Sequence, residues 1–518
     1  MKKHLLPFLL FAFFQANAQI NKFQEIVSNN TAAIELYEGI PTADGGYMGV
    51  GYAQASTGIY NGNYMVKTDS VGAVQWTINF IDSAYMYLQG VGQTSTGAYI
   101  VSGTRTLFGT SSATIGKVSA TGTVVWYKRV ESGNDGVLAI EHNGGYVFSG
   151  EAMGNNNYGT YLFKTDTNGN TLWSHFYEMN GYMRFNSIRR TADGGLFLVG
   201  SAGVTNTADV FLMKTDGNGN ISWMKRYASD FNDNDAGMFG MQAKDGGYIV
   251  SGYTTIDNFA NTHAFLMKTD AGGNMVWAKK YGIGDNELGW STDQSHDGGY
   301  ILTGSTVRRF KAASDGFLIK TDDTGGVQWV KLFGDAAGDV LVSGNQAANG
   351  GYQVIGTSNS FGSSGIRAAY LIKTDSSGNA GCNQLDTIVN IQELIFQSVP
   401  VTLPADDPGV TLASRNVTSS NPGTLLTLCS TVGIPAVTQQ TEIALVPNPA
   451  YSQVTISTPA QDIERISLTD VTGAVIYQTD RLHRSQAVVD ISQFPAGTYF
   501  YIITAGQKTM RGKLVVIH

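Results

Sequence analysis

The sequence predicts an all-β chain, a seven-bladed β-propeller followed by a small C-terminal Ig-like antiparallel β-sandwich. Three observations carry that reading. A Gly-centred phrase returns seven times, as DGGYMGVG at 44, TGAYIVSG at 96, NGGYVFSG at 143, DGGLFLVG at 193, DGGYIVSG at 245, DGGYILTG at 297 and NGGYQVIG at 349. The spacing, roughly 50 residues, is close to the period of propeller blades. Each interval resolves into four short strand-like segments joined by turns rich in Asp, Asn and Gly, which is the pattern of an antiparallel meander. Composition agrees, with 63 Gly and only 14% charged residues in 518.

Residues 1–18 read as a signal peptide. Lys2 and Lys3 precede an apolar stretch from Leu5 to Phe14, and Ala16-Asn17-Ala18 supplies a small-x-small cleavage site. That stretch is too short to span a bilayer, and no later segment is long and apolar enough to predict a transmembrane helix. The mature chain is therefore expected to be exported. Without Lys2 and Lys3 it carries 31 basic against 41 acidic groups, a net charge near −10 that argues against nucleic acid as a partner.

The propeller is predicted over 19–381, closed by an N-terminal strand at FQEIV (Phe23 to Val27) added to the last sheet, since closure removes raw sheet edges. Within each unit the phrase KTDxxGN reads as a tight hairpin, whose Asp bonds nearby backbone groups and whose Gly or Asn tolerates positive φ. Its faint likeness to a calcium loop lacks the required Gly and distant Glu. Nine residues after each Lys comes a Trp, at Trp76, Trp126, Trp173, Trp223, Trp277 and Trp329, expected to wedge between neighbouring sheets. The seventh unit has Cys382 in that slot.

The short repeated turns look structural, whereas dissimilar loops such as STVRRFKAAS and TSNSFGSSGIRA gather at the opposite end, where a ligand is expected. Trp290, the one Trp outside the repeated slot, is the leading binding candidate, with Tyr182, Phe185, Phe231, Arg308, Arg309 and Phe310 completing a rim. Catalytic groups are sparse. His142 and His296 precede the Gly-pair turn and are expected to be exposed, while His175 and His263 stand beside no nucleophile signature. Asp230, Asp233, Asp235, Asp285 and Glu287 offer carboxylates for glycan cleavage, although acidic loop residues are commonly solvated. No cofactor or metal site is predicted.

Cys382 and Cys429 are the only cysteines, and in an exported chain they are expected to form a disulfide. Two thiols without nearby His make an incomplete zinc set. Residues 382–440 read as a disulfide-pinned extension and linker.

From 441 to 518 alternation returns in short strands, the pattern of the sandwich. Here Pro447-Asn448-Pro449, LTDVTGAVIY with Asp470 and Gly473, DISQFPAGTYFY with Gly497 and Tyr499, and the terminal KLVV resemble the type A C-terminal sorting domain of the Bacteroidetes type IX secretion system. FPAG replaces the commoner Leu-x-x-Gly form. The repeats themselves resemble the DGGYIVSG…KTDxxGNxxW units of secreted Bacteroidetes proteins, and they depart from kelch repeats because the Gly pair lies about 28 to 30 residues before the Trp. The resemblance implies export through the periplasm, recognition of 441–518 by the type IX machinery, and often removal of that tail with attachment to surface lipopolysaccharide. The functional expectation is a non-enzymatic binding or adhesion propeller, secreted or held on the outer-membrane surface, whose ligand is a surface glycan or protein. A glycan-active hydrolase or lyase and a structural surface-layer component are the alternatives.

Overall fold

A computed structural model describes residues 22–517 except 29–32, 55–60, 132, 154–157, 180, 204–206, 230–233, 257–260, 308–312, 363–364, 402–404, 407–409, 416, 421–423, 432–443, 458–461, 471–473 and 506–507. The signal-peptide reading and the linker after Thr431 thus fall outside the described residues. Among the described residues every named element is a strand, nearly all pairings are antiparallel, and no helix is long and apolar enough to cross a membrane. The chain forms two compact units, residues 20–431 and the C-terminal 432–518.

In the larger unit, of propeller type, each repeat folds into an antiparallel meander. Its inner strands are Ile34–Pro41, Tyr85–Gln93, Asp135–His142, Tyr182–Arg190, Asp235–Gln242, Asn286–Gln294 and Asp339–Gln346. The middle strands, such as Leu196–Gly203 and Asp209–Thr215, are buried on both faces because each sheet is covered by two neighbours, so they read as unbroken apolar runs. The fourth strands are only partly buried, as in Met275–Gly282.

Adjacent meanders are joined by a repeated set of side chains. Each Trp lies against the turn glycine of the next unit: a Cβ on Gly122, Gly169, Gly219, Gly273, Gly325 or Gly378 would meet the indole at 2.6–3.2 Å, and all six have positive φ. Five of the indoles also meet the Tyr that follows the next Gly pair, with ring centroids 5.4–6.3 Å apart, as in Trp76–Tyr99 and Trp329–Tyr352. The Trp side chains are half-buried rather than enclosed, because they sit on the outermost repeat strand. The Lys of KTD is buried and reaches back to the Asp of the Gly-pair turn, in Lys67–Asp44, Lys214–Asp193, Lys268–Asp245 and Lys320–Asp297 at 2.7–2.9 Å. Where the turn carries Asn143 instead, Lys164 bonds that residue's carbonyl.

His142 corrects the sequence reading. Its hairpin is a shorter one, with both Asn143 and Gly144 at positive φ, so His142 pairs with Gly145 inside the ladder and is 1% exposed. Burial holds its imidazole below the usual histidine range. His296, on a longer turn, is exposed.

The seventh meander has three strands of its own, and Lys22–Ser28 supplies the fourth by pairing with Ala368–Lys373. In six units the KTD Lys faces a Trp across the ladder, as in Lys320↔Trp329; here Lys373 faces Phe23. Phe23 is 6% exposed and presses on Gly72 of the first unit's turn, so it fills the slot that Cys382 leaves without an aromatic ring. First and seventh units are bonded directly: Tyr47 Oη donates to Asn345 Oδ1 at 2.9 Å, Leu36 N to Thr357 Oγ1 at 3.0 Å, and Ser343 Oγ to Gly39 O at 2.7 Å. The circuit of contacts closes on itself.

Residues 384–431 then travel around the outside. Gln384–Asp386 pairs with the fourth strand of the sixth unit, Asn390–Glu393 with that of the fifth, Gln397–Pro400 with the fourth, Ala405–Asp406 with the third, Leu412–Ser414 with the second, Thr418–Ser420 with the first, and Thr424–Thr431 with Lys22–Ser28. Every outer edge is thereby covered, the remedy sheets need against edge-to-edge association. The belt's strand side chains are largely exposed, but between them Phe396 and Val410 plug inter-unit cores, with Val389, Val401, Val417 and Leu428 packed on others. Cys382, at its start, and Cys429, near its end, are joined by a disulfide.

The last belt strand covers Glu25, which is 7% exposed and accepts a hydrogen bond from Thr427. Burial pushes its carboxyl up to about 7. A raised carboxylate contributes stability that is full below the ordinary value near 4.5 and is lost as pH rises to about 7. Glu25→Gln should therefore flatten the pH dependence of unfolding between 5 and 7 and stabilise the chain at pH 8 by on the order of 3 kcal/mol, at about 1.4 kcal/mol per pKa unit. Parallel denaturant titrations of the two proteins check this, and an unchanged pH profile in the variant would refute it.

The C-terminal unit consists of a three-stranded sheet (Ala444–Val446, Gln453–Ser457, Gln486–Asp490) and a four-stranded sheet (Ile463–Thr469, Val475–Arg484, Gly497–Ala505, Lys508–Val516). They enclose one core that includes Val454, Ile456, Ile466, Leu468, Val489, Ile503 and Leu514. The motif residues hold this framework. Asn448 Nδ2 donates to Lys513 O at 2.8 Å while its Oδ1 accepts from Val515 N at 2.9 Å, clipping the Pro-Asn-Pro segment to KLVV. Tyr499 Oη donates to Pro495 O, Asp470 accepts from Ala474 N, and Gly497 faces Val516 in the ladder. Gly473 lies outside the described residues.

Candidate functional site at the inner-strand bulges

Each inner strand breaks register once near its start. The breaks fall between Leu36 and Glu38, Leu88 and Gly90, Gly136 and Leu138, Phe185 and Ser187, Gly237 and Phe239, Gly289 and Ser291, and Leu341 and Ser343. The residues left out of the ladder are Tyr37, Gln89, Val137, Asn186, Met238, Trp290 and Val342. A bulge releases one residue from pairing and re-aims its side chain. Tyr37, Gln89, Asn186, Met238, Trp290 and Val342 line a single cavity of about 170 Å³ with Glu38, Arg184, Phe239, Ser291 and Ser343. The cavity lies where inner strands converge, toward the end at which the links between units enter.

The wall is divided by polarity. Trp290, Val342 and Tyr37 come from three consecutive units and form an apolar, aromatic side; Gln89, Asn186 and Arg184 form a polar side. Tyr37 stands 5.9 Å from both the Tyr52 and Tyr87 rings and is 40% exposed. Trp290 Nε1 donates to Ser305 Oγ at 3.4 Å and Thr104 Oγ1 to Gln89 Oε1 at 3.2 Å within their own sheets, while Asn186 Nδ2 donates to Gly237 O of the next unit at 2.9 Å, so these side chains are held in place.

An ion pair forms the floor. Glu38 accepts from Val91 N at 2.8 Å and from Arg189 Nη2 at 3.2 Å, and the Arg189 guanidinium lies 4.3 Å from the Phe239 ring centroid. Burial pushes the Glu38 carboxyl up, and Arg189 opposes that shift. A second cavity of about 270 Å³ includes Arg189, Arg190, Thr292, Asp293 and Asn345 and shares Phe239 and Ser343 with the first. On the polar wall, Arg184 Nε lies 2.9 Å from Glu151 and Nη2 lies 4.0 Å from Asp135, whose carboxyl burial pushes up to about 6.

Of the rim read from the sequence, Trp290 is in the bulge ring. Tyr182 begins the inner strand that carries Asn186 and is half-buried. Phe185 is not a rim residue: it is the last paired residue before the bulge, 1% exposed, and packs on Phe211 at 5.8 Å. Phe231, Arg308, Arg309 and Phe310 lie outside the described residues, as do Asp230 and Asp233. The acidic candidates Asp235 and Glu287 are wholly buried instead of solvated. Asp235 accepts from Ser229 N and Oγ, and Glu287 from Gly284 N and Thr306 Oγ1 with His263 at 2.6 Å, so both anchor the entry to their inner strands. His175 bonds Asn218 O. In the two turns with a faint calcium-loop look, the Asp166 and Asp216 carboxylates accept from backbone and Asn groups of their own hairpins.

The bulge ring escaped the sequence reading, although a signal existed. Eight residues before the first Gly of the pair stand Tyr37, Gln89, Asn186, Met238, Trp290 and Val342; the shorter hairpin of the third unit brings Val137 one residue nearer. That column is dissimilar inside otherwise repetitive units.

Residues 444–517 match the family described as the secretion system C-terminal sorting domain. This match supports type IX export to the cell surface or beyond. No sequence among the curated proteins matches the chain. Among solved structures, a neuraminidase-like protein from A/bat/Guatemala/164/2009 is similar at a TM-score of 0.38 and 7% identity, covering 57% of this chain and 89% of that one. Drosophila Plexin A, in complex with Semaphorin 1b, is similar at 0.30 and 6%, covering 69% and 87%.

Proposed function

We propose that this chain is a surface-displayed seven-bladed β-propeller that binds a ligand at the mouth of its central channel and performs no chemistry on it. Residues 1–18 direct export, and 441–518, an Ig-like sandwich, is the part the type IX machinery recognises. One observation carries the binding reading: the seven bulged positions share one backbone place, yet hold Tyr, Gln, Val, Asn, Met, Trp and Val. Scaffold positions repeat because the sheets demand it, whereas a ring of unlike side chains around one cavity is what specific recognition uses. The buried carboxylates of the inner strands are engaged by backbone, hydroxyl, His or Arg partners, which favours binding over hydrolysis. The test is capture on a glycan and protein array by the purified mature chain, with Trp290→Ala alongside. Specific capture that Trp290→Ala lowers at least tenfold is expected. Capture that is insensitive to Trp290 removes this site from consideration.

A further inference from the structure

Resting on that reading, we propose that the bulge-ring cavity takes the end of an uncharged glycan, one sugar ring at a time, stacked against Trp290. Size comes first. The cavity of about 170 Å³ lies below the roughly 300–1,000 Å³ of sites that enclose drug-sized ligands, so it admits a single ring.

Shape comes next. Glu38 and Arg189 pair across the floor, with Phe239 beneath the guanidinium, and separate this cavity from the second one. That pair reaches from the first unit to the fourth, across the path a polymer would need to thread from one cavity to the other. What enters is therefore a chain end.

Charge and polarity set the class. The charged groups of the wall and floor are matched within the protein, Arg189 by Glu38 and Arg184 by Glu151 and Asp135, so a charged ligand would have to break a pair to gain one. The aromatic and aliphatic arc of Trp290, Val342 and Tyr37 faces an arc of two amides and a guanidinium. A pyranose has this duality, with a C–H face suited to an aromatic ring and hydroxyls at its edge suited to amides. An apolar amino-acid side chain would satisfy the first arc and leave the second desolvated at a cost.

The test uses the full mature chain and defined probes: methyl glycosides of glucose, galactose, mannose and N-acetylglucosamine as neutral sugars, glucuronic acid and N-acetylneuraminic acid as charged ones, and a Phe-rich peptide. Saturation-transfer NMR and Trp fluorescence report binding. Trp290→Ala and Asn186→Ala are compared with Trp173→Phe, a control on the outer strand, and matched melting curves show that each variant folds. The expected result is binding of at least one neutral glycoside, weakened tenfold or more by Trp290→Ala, several-fold by Asn186→Ala and not by Trp173→Phe. Binding of a charged sugar or the peptide in its place, still dependent on Trp290, overturns the ligand class and leaves the binding site standing. If no probe binds, or binding survives Trp290→Ala, the ligand class falls; a wild-type array signal that also ignores Trp290 takes the binding site with it.

Discussion

Phe23→Ala lowers the stability of the larger unit by about 3–5 kcal/mol, the usual range for emptying a buried Phe site, and by more than any single repeat Trp→Ala. The ordering is the informative part, since Trp is the larger side chain. Each Trp is half-buried and its loss leaves a partly solvated notch, for which about 1–3 kcal/mol is expected from the reduced area withdrawn from water. Phe23 is 6% exposed, touches the first unit's turn at Gly72, and sits on a strand with partners on both sides, Ala368–Lys373 and Thr424–Thr431. Its removal weakens the junction between first and seventh units and the anchorage of the belt together. Denaturant unfolding of Phe23→Ala beside Trp277→Ala decides the matter. An equal or smaller loss for Phe23→Ala would mean that the N-terminal strand contributes little to closure.

Cys429→Ser, or reduction of the native chain, frees the belt. The disulfide closes a sequence separation of 47 residues, and a loop of that length corresponds to about 4 kcal/mol of unfolded-state entropy. Over a unit of about 400 residues, at roughly 2.1 cal/mol/K per residue, this is a fall of around 5 °C in Tm. A larger change should appear locally. Belt pairings such as Gln384–Asp386 and Leu412–Ser414 are only three residues long, and few belt side chains are buried, so each contact is weak once the ends are free to part. Limited proteolysis under reducing conditions should cut within 384–431 while the repeats stay whole. Equal protection of the belt with and without reductant would show that its ladders and plugs suffice.

The repeat architecture was legible because the phrase that specifies a unit occurs seven times, so noise at one position is averaged by the others. The Trp slot and the Gly turns emerged for the same reason. Other features were written once or in compensating pairs. The Lys–Asp bond between KTD and the Gly-pair turn is visible only on noticing that Lys214 and Asp193 recur together while Asn143 departs with Lys164. Phe23 stands in for a Trp more than three hundred residues away in sequence, a substitution that depends on ring closure. The belt was opaque since its strands are two to eight residues long and mostly exposed, leaving weak alternation to detect. His142 was misplaced through a change in hairpin length, and Phe185 was assigned to the rim because a single unpaired residue reverses which neighbours face the core. Bulges carry no local sequence mark, which is why the cavity wall had to be seen before its column could be recognised.

Because a bulged residue lies outside the ladder, its identity is not dictated by the inter-strand register, so these bulged places can change with less effect on the fold than their paired neighbours. Descendants of the same scaffold could retune what they hold by single substitutions there, keeping the surrounding architecture untouched. Diversity among such chains should therefore be concentrated in a narrow circle of positions spaced roughly one period apart, and should be sparse on the glycines and indoles between them.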